Sequence, residues 1–136
     1  MTTERLDVHE LLDRAGAAEF NGFPPRGCVG HVNLGVGHLR TAEPFYTGVL
    51  GLDVTQRLHG ATMLARGGYH HNICINVWQS AGAGRGADDC AGLDSVELVI
   101  KDPCERDGIF ARAEAAGVRD GAAVIDPWGT RFTLSA

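Results

Sequence analysis

One order of predicted elements occurs twice along the chain, and this repetition constrains the fold more than any other feature. Residues 28–79 predict strand, helix, strand, strand, strand, and residues 93–136 predict the same order with one strand cut short. Residues 80–92, between them, are rich in Gly, Ala and Asp, lack apolar periodicity and predict a mobile connector. The chain is therefore expected to form an α+β fold of two βαβββ modules, the second of them shortened.

The first module is predicted to contain four strands and one helix. The predicted strands are residues 28–36, 52–58, 61–65 and 70–78. The helix is predicted to begin at Thr41 and to hold Pro44 in its first turn, where the missing N–H of proline costs little. Apolar residues then recur at the spacing of one helix face until Gly51, which predicts the end of the helix.

The second module follows the same plan in fewer residues. Its predicted strands are residues 93–101, 122–125 and 131–134, and its predicted helix is residues 103–116. The segment between Gly117 and Ala122 leaves barely enough residues for a further strand. We therefore expect one short strand in this module where the first module has a full one.

Residues 1–27 are predicted to stand outside the two modules as a short helix and a linker. A capping-box pattern that begins at Asp7 predicts a helix over residues 7–15. The Pro- and Gly-rich residues 21–27 then break the chain. The domain itself is accordingly expected to comprise residues 28–136.

The composition excludes several classes of protein. With 136 residues, 44% of them hydrophobic, the chain has enough apolar material for one well-packed domain. Its net charge of −5 argues against binding to nucleic acid or an anionic membrane, and no apolar run approaches the ~20 residues of a membrane-spanning helix. The N-terminus lacks the apolar region of a signal peptide, and the four cysteines follow no paired spacing. A cytoplasmic protein with reduced thiols is expected.

A polar segment with two adjacent histidines opens the fourth predicted strand. Gly67 and Gly68 predict a turn, and Tyr69, His70 and His71 follow. Imidazole rings at such a place can hold a metal ion, move a proton, or bond to neighbouring backbone groups. The segment by itself leaves all three functions open.

Four segments carry a resemblance to a known family. They are GHVNLGV at residues 30–36, AEPFYTGVLGL at 42–52, GGYHHNICINVW at 67–78 and DPWG at 126–129. Together they resemble the vicinal oxygen chelate superfamily, which includes glyoxalase I, bleomycin-binding proteins, fosfomycin-resistance proteins and extradiol ring-cleaving dioxygenases. The third segment is similar to one in small catechol-2,3-dioxygenase-like proteins. The resemblance implies two βαβββ modules whose strands curve around a central cleft, in agreement with the order of elements.

The resemblance also implies a metal site. Members with a complete site supply two His and one Glu, a set that suits Fe(II), Mn(II), Zn(II) or Ni(II) and leaves positions open for substrate oxygens. His31 matches the first ligand, whereas the positions of the second and third ligands hold Ser95 and Thr133. The usual site is thus incomplete, so the chain either uses another set of ligands or binds no metal.

Glu97 offers a displaced ligand. Because side chains alternate along a strand, Ser95 and Glu97 face the same side, so Glu97 faces the cleft if position 95 does. His31 and Glu97 would then form a 2-His-1-carboxylate set together with His71 or His70.

The resemblance gives the same residues a second function. In ring-cleaving relatives the histidine that matches His71 is an acid–base residue, and imidazole suits this role because its pKa lies near neutrality. A nearby Glu97 would orient that ring, and His70 is a further catalytic candidate. Otherwise Glu97 forms a salt bridge with Arg131 or Lys101, and the histidines bond to backbone groups.

Three further polar residues are candidates for contacts with a substrate. Asn33 and Asn72 stand where close relatives often have His, and both amides, like the Ser95 hydroxyl, can bond to a substrate oxygen. Trp78 and Trp128 are expected to pack and to support a turn. The remaining histidines are expected on the surface; they are His9, His38 and His59.

These features predict a small-molecule enzyme that acts on an oxygenated or aromatic substrate. The reaction would be metal-assisted, as in a dioxygenase or an isomerase, or would use His and Glu as acid and base, for example in ring closure or opening. The alternative is a non-catalytic binder of a small molecule or antibiotic, similar to the bleomycin-sequestering relatives. A homodimer is also consistent with the resemblance, since relatives often dimerise and a shortened module leaves an exposed sheet edge.

Overall fold

Two four-stranded sheets, one from each half of the chain, form the body of the protein. The computed structural model describes residues 5–16, 19–87 and 89–136; residues 1–4, 17–18 and 88, from the predicted N-terminal region and connector, lie outside it. The strands of the first sheet are β1 (Val32–Gly35), β2 (Asp53–Leu58), β3 (Ala61–Ala65) and β4 (Ile73–Asn76). Those of the second are β5 (Ser95–Val99), β6 (Arg119–Asp120), β7 (Ala123–Ile125) and β8 (Arg131–Ser135).

The two sheets are connected in the same way. The first has the order β1-β4-β3-β2 and the second the order β5-β8-β7-β6. In each, the first and last strands of the module pair in parallel, and the other pairs are antiparallel. Strand β6 has only 2 residues. The predicted α+β fold of two βαβββ modules, with a shortened second module, is confirmed.

The helices are α1 (Val8–Ala15), α2 (Leu39–Pro44) and α3 (Pro103–Ala115), and a π-helical turn at Phe45–Val49 continues α2. The start of α1 is capped by Asp7, whose carboxylate accepts a hydrogen bond from Glu10 N at 3.0 Å, which confirms the predicted short N-terminal helix. Within the described part of the chain, every helix is too short or too polar to cross a membrane.

The predicted start of the first-module helix at Thr41 is wrong. The helix begins at Leu39, so that Pro44 is the last residue of α2 and not part of its first turn. Because proline has no N–H, Pro44 cannot donate the usual hydrogen bond to the carbonyl one turn back. The chain continues as a π-helical turn, in which Leu50 N donates to Phe45 O at 3.2 Å.

Two strands of the first sheet are shorter than the sequence predicts. The predicted strands 28–36 and 70–78 are reduced to β1 and β4, because these pair only from Val32–Ile73 to Gly35–Asn76. The residues before each strand are outside the paired ladder, although Val32 N still donates to Asn72 O at 3.1 Å. His31, His70 and His71, next to the starts of these two strands, therefore lie outside the paired ladder.

The first part of the predicted mobile connector is fixed between the two modules. Ser80 donates its hydroxyl to Val36 O at 2.9 Å, and Gly82 N donates to Gly37 O at 2.9 Å. From the second module, Trp128 donates its indole N–H to Ala83 O at 2.9 Å. The chain after β4 is thus docked against the end of β1 before it crosses to β5.

Replacing Gly37 by alanine is expected to lower the free energy of unfolding by about 1–3 kcal/mol. A Cβ at this position would overlap the backbone oxygen of Ala83 and lie 2.9 Å from the indole nitrogen of Trp128, so the connector would have to move away. Chemical denaturation measures the change. The control is Gly84→Ala, where a Cβ meets nothing within 4 Å, and equal stability of the two variants would contradict the docked connector.

One hydrophobic core joins the two modules. Phe45 and Tyr46, from the first module, pack against Phe132 of β8 with ring centroids 6.1 and 6.0 Å away. The buried Tyr46 hydroxyl donates to the buried Asp126 carboxylate at 2.7 Å. Burial, reinforced by this carboxylate, raises the pKa of Tyr46 far above its usual range. Tyr46 and Asp126 therefore form a polar contact within an otherwise apolar core.

An ion pair and a hydrogen bond connect helix α2 with two strands of the first sheet. The Glu43 carboxylate accepts two hydrogen bonds from Arg57, at 3.1 and 2.7 Å, and one from the Thr62 hydroxyl at 2.7 Å. The Arg57 hydrogen bond is the main reason that the pKa of Glu43 lies below its ordinary value, although partial burial opposes it.

Because the pKa of Glu43 is lowered in the folded protein, its contribution to stability is present above the ordinary carboxylate pKa and is lost as the pH falls through the folded value. We expect Glu43→Gln to cost up to about 1 kcal/mol at pH 7 and progressively less on acidification below about pH 4. Denaturation curves at several pH values measure this difference. Asp53→Asn, an exposed carboxylate at the start of β2, is the control, and a cost of Glu43→Gln that does not change with pH would contradict the assignment.

Candidate metal centre

Three histidines converge at one end of the first sheet. The ligand atoms of His31, His70 and His71 all lie within 4.8 Å of one another, and we call this group the histidine cluster. His31 directly precedes β1, and the other two precede β4. Because β1 and β4 are neighbouring parallel strands that begin at the paired residues Val32 and Ile73, their N-terminal ends lie side by side. The pairing of these two strands is what brings the three rings together.

The rings of the cluster are in contact with one another. The centroid of the His71 ring lies 4.4 Å from that of His31 and 4.5 Å from that of His70, and the latter two are 6.4 Å apart. His71 is only 8% exposed, whereas His31 and His70 are exposed to solvent. A central buried ring is thus flanked by two accessible ones.

Hydrogen bonds fix the backbone that carries His70 and His71. Gly67 and Gly68 have φ angles of 65° and 76°, which L side chains rarely adopt, and so supply the predicted turn. The Thr55 hydroxyl donates to His70 O at 2.7 Å. The Asn72 side-chain oxygen accepts a hydrogen bond from Arg66 N at 3.1 Å. These contacts hold the segment in place before β4 begins.

The buried His71 ring has one nitrogen without a partner. Its Nδ1 atom makes no hydrogen bond with the described residues. Burial, together with the neighbouring His31 and His70, lowers the pKa of His71, so this ring is neutral at pH 7. A buried polar atom without a partner costs about 1–3 kcal/mol. A neutral imidazole in this position is suited to bind a cation or to accept a proton.

The donor set of the cluster fits a metal ion after a small adjustment. Nitrogen ligands about 2.1 Å from a tetrahedral Zn²⁺ lie about 3.4 Å from one another. The corresponding atoms in the cluster lie within 4.8 Å of one another. His31 and His70 are exposed, so small rotations of their side chains can bring them closer to the buried His71.

Glu97 lies outside the histidine cluster. In β5 residues 95, 97 and 99 are exposed while 96 and 98 are half-buried, so Ser95 and Glu97 share a face. Glu97 is paired across the sheet with Thr133, the position of the third ligand in the family pattern. Its side chain makes no hydrogen bond or ion pair with the described residues, and Arg131 pairs instead with Asp120 at 2.9 Å. Its proposed functions as ligand or base remain predictions.

The two predicted asparagines have different surroundings. The side chain of Asn72 is engaged with the backbone of Arg66, whereas Asn33 is exposed and accepts a hydrogen bond from the Asn76 amide at 3.4 Å. Asn33 lies two residues after His31, so in an extended chain the two side chains are on the same side.

Asn76 is not among the predicted site residues. Its position, opposite Gly35 in β4, depends on a strand register that the sequence does not reveal.

Tyr69 is a second residue that was not predicted as part of the site. Its ring centroid lies 4.2 Å from that of His70, and the side chain is about half exposed.

The tryptophans and the other three histidines, which were predicted to have no function in the site, lie outside the histidine cluster. Trp128 is half-buried in its turn, while His9, His38 and His59 are exposed. The predicted packing of Trp78 is wrong, because this residue is 61% exposed.

Comparison with known proteins gives consistent results. A family model described as Glyoxalase/Bleomycin resistance protein/Dioxygenase superfamily matches residues 29–133. The chain is 35% identical over 119 residues to a catechol-2,3-dioxygenase of Bacillus subtilis (strain 168). That alignment covers 86% of this chain but 42% of the relative, so the chain spans less than half of the relative's length.

Solved structures of low sequence identity share the fold. A lactoylglutathione lyase from Agrobacterium tumefaciens superimposes with a TM-score of 0.58 at 19% identity, covering 82% of this chain and 94% of that one. A glyoxylase/bleomycin resistance protein/dioxygenase domain from Frankia sp. EAN1pec superimposes with a TM-score of 0.59 at 19% identity, covering 81% and 98%. At this level of identity the similarity shows the fold alone.

Proposed function

The chain belongs to the glyoxalase/bleomycin resistance protein/dioxygenase superfamily, and from this premise we propose that it is a metal-dependent enzyme acting on a small aromatic substrate with two neighbouring oxygens. One observation carries the proposal: the ligand atoms of three imidazoles lie within 4.8 Å of one another, and one of these rings, that of His71, has a buried nitrogen without a hydrogen-bond partner among the described residues. We also propose that the protein is located in the cytoplasm. All four cysteines are free thiols, and the described part of the chain contains no membrane-spanning helix, and both observations fit this location.

We assign the cation to His31, His70 and His71. Three neutral imidazoles suit Zn(II), Fe(II), Mn(II) or Ni(II) and leave positions open for substrate oxygens. A cation held there supplies Lewis-acid polarisation of a bound oxygen. The ligand set differs from the usual one of the family, because positions 95 and 133 hold Ser and Thr.

The surrounding side chains would bind and orient the substrate. The half-exposed ring of Tyr69, next to His70, offers a face against which an aromatic ring can stack. The paired amides of Asn33 and Asn76 offer hydrogen bonds to a further oxygen or nitrogen of the substrate. Asn33 lies two residues from His31, which is about 7 Å along an extended chain. This spacing favours a substrate with a polar group on the side of the ring opposite its two chelating oxygens.

Catechols are the substrate class that the 35% identical relative suggests by its name. A catechol carries two adjacent ring oxygens, and a dioxygenase reaction places both atoms of O₂ in the ring-opened product. The relative is more than twice as long as the aligned segment, so its activity is extended to this chain only as part of the proposal.

Acid–base catalysis by His71 without a metal is the second candidate. The lowered pKa of His71 favours it, because a neutral ring at pH 7 can accept a proton from a substrate. The two functions compete for the same ring nitrogens. Non-catalytic binding is the third candidate, and Ser95 and Thr133 at the usual ligand positions favour it.

Untagged protein loaded with Co²⁺ or Fe²⁺ tests the proposal. We expect about one equivalent of metal after gel filtration, a change in the Co²⁺ absorption spectrum on adding catechol, and oxygen uptake by the Fe²⁺ form with catechol. Protein that retains no metal would overturn the metalloenzyme. In that case His71→Ala separates the other candidates, because loss of turnover with retained ligand affinity indicates acid–base catalysis.

Glu97→Gln is expected to leave the metal content at one equivalent and the metal affinity within about threefold of wild type. The reason is that Glu97 lies outside the group of converging ligand atoms. Metal titration of the two proteins in parallel measures the difference. If metal is lost from the variant, Glu97 is a ligand and the displaced 2-His-1-carboxylate set is correct.

A further inference from the structure

We propose that the N-terminal arm, defined as residues 5–16 and 19–29, docks onto a second copy of this chain. The proposal is independent of the metal site, and the arm lies before the family-matched residues 29–133 except for its last residue. Every described residue of the arm is exposed to solvent. The described residues of the arm are therefore not buried against the described body of the chain.

Helix α1 has an apolar face that is exposed to solvent. Val8, Leu11, Leu12 and Ala15 follow the spacing that places residues on one side of a helix. The opposite side carries an ion pair between Glu10 and Arg14, at 2.6 Å. A helix of 8 residues is too short to be stable alone in water, so burial of its apolar face has to supply the missing stability.

Exposed apolar side chains are concentrated in the arm. Of the 12 large hydrophobic side chains that are exposed among the described residues, the arm holds Leu6, Val8, Leu11, Leu12, Phe20, Phe23 and Val29. Phe20 and Phe23 are 80% and 87% exposed, and their rings lie edge to face at 5.9 Å. Such clustering in about one sixth of the chain is unusual for a monomer.

The area involved matches one side of a stable dimer. Summed over the seven residues, the exposed surface is on the order of 900 Å². A standard interface buries about 800 Å² on each partner. Pairing of two α1 helices alone would bury less than this, so the aromatic pair must also be covered.

The charge of the arm argues against other partners. Residues 5–29 contain three Arg and four Asp or Glu, and the whole chain has a net charge of −5. Helices that bind anionic lipid surfaces are rich in Lys and Arg on their polar face. A nucleic acid would require a basic surface as well. An apolar protein surface is the partner that remains.

The body offers such a surface beside the turn between β2 and β3. Leu58 and Trp78 are exposed there, and the Trp78 indole donates to His59 O at 3.4 Å, next to Leu58. A tether of about 15 residues between α1 and β1 reaches up to about 50 Å when extended, enough to reach a second molecule. Two identical exchanges of this kind close a symmetric dimer.

Sedimentation velocity over a range of protein concentrations tests the proposal. We expect wild type to dimerise and the variants Leu11→Glu/Leu12→Glu, Phe20→Ser/Phe23→Ser and Trp78→Ala each to weaken the dimer at least tenfold. His9→Glu, on the same helix, is the control and should dimerise as wild type does. At concentrations low enough for all the proteins to be monomeric, thermal unfolding of the arm variants should match that of wild type, because no residue of α1 is buried in the monomer.

Three results would overturn the proposal. Wild type that remains monomeric at hundreds of micromolar is one, and a dimer unaffected by the arm variants is another. The third is a monomer whose arm contacts something other than a second copy. Protection of the arm from proteolysis would show that it covers its own body, and binding of the arm to anionic vesicles would show that it docks on a membrane.

Discussion

His31→Ala is expected to abolish stoichiometric metal binding, with an affinity for Zn²⁺ at least about 100-fold below that of wild type. Removal of this ring leaves two protein nitrogens, one of them on the exposed His70, in place of three that lie within 4.8 Å of one another. Zinc binding to structured sites depends on three or four such ligands. Metal analysis after dialysis and calorimetric titration measure the loss, and the proposed turnover of catechol should fall to the background.

His59→Ala is the matched control for this experiment. His59 is an exposed histidine in the turn after β2, outside the histidine cluster, so its removal should leave the metal content unchanged. Circular dichroism of both variants checks that the fold is intact. If His31→Ala retains one equivalent of metal with wild-type affinity, the cluster is not the metal site.

Asp126→Ala is expected to lower the free energy of unfolding by about 3–4 kcal/mol. The carboxylate of Asp126 accepts three hydrogen bonds: from the Tyr46 hydroxyl at 2.7 Å, from Trp128 N at 2.9 Å and from Thr130 N at 2.8 Å. Its loss leaves the buried Tyr46 hydroxyl without an acceptor and also releases the turn that follows β7. Chemical denaturation, with fluorescence of the two tryptophans as the signal, measures the change.

Asp120→Ala provides the comparison for this loss. Asp120 is an exposed carboxylate in the same module, paired with Arg131 at 2.9 Å, and such pairs contribute about 1 kcal/mol or less. Tyr46→Phe removes only the hydroxyl and should cost less than Asp126→Ala. Similar losses for Asp126→Ala and Asp120→Ala would contradict the importance of the buried contact.

The order of elements was predictable because it depends on local patterns. Alternation of apolar residues, capping residues such as Asp7 and turn residues such as Gly51 act over a few positions of the chain. The start of α2 was not predictable in the same way. Proline is favoured in a first turn, yet Pro44 ends the α-helical segment, and the π-helical turn that follows packs Phe45 and Tyr46 in the core.

The sequence predicted which residues could form the candidate site, but not which of them lie close together. The family resemblance indicated His31, and the polar segment indicated His70 and His71, but the sequence also allowed a set that included Glu97. The register of β1 against β4 places the three histidines together. The sequence contains no local signal for that register, because parallel strands separated by some forty residues are aligned by the packing of the whole module.

By itself, the sequence determined the α+β class, the two modules, the family and the residue types available for chemistry. Those properties follow from periodicity, turn chemistry and short motifs, all of which are local. Only the tertiary structure decided that Tyr46 and Asp126 join the modules, that three histidines converge while Glu97 stays apart, and that the apolar face of the arm is exposed in the described part of the chain. Each of these depends on which distant segments lie side by side, and that is set by packing of the core and by strand register rather than by neighbours along the chain.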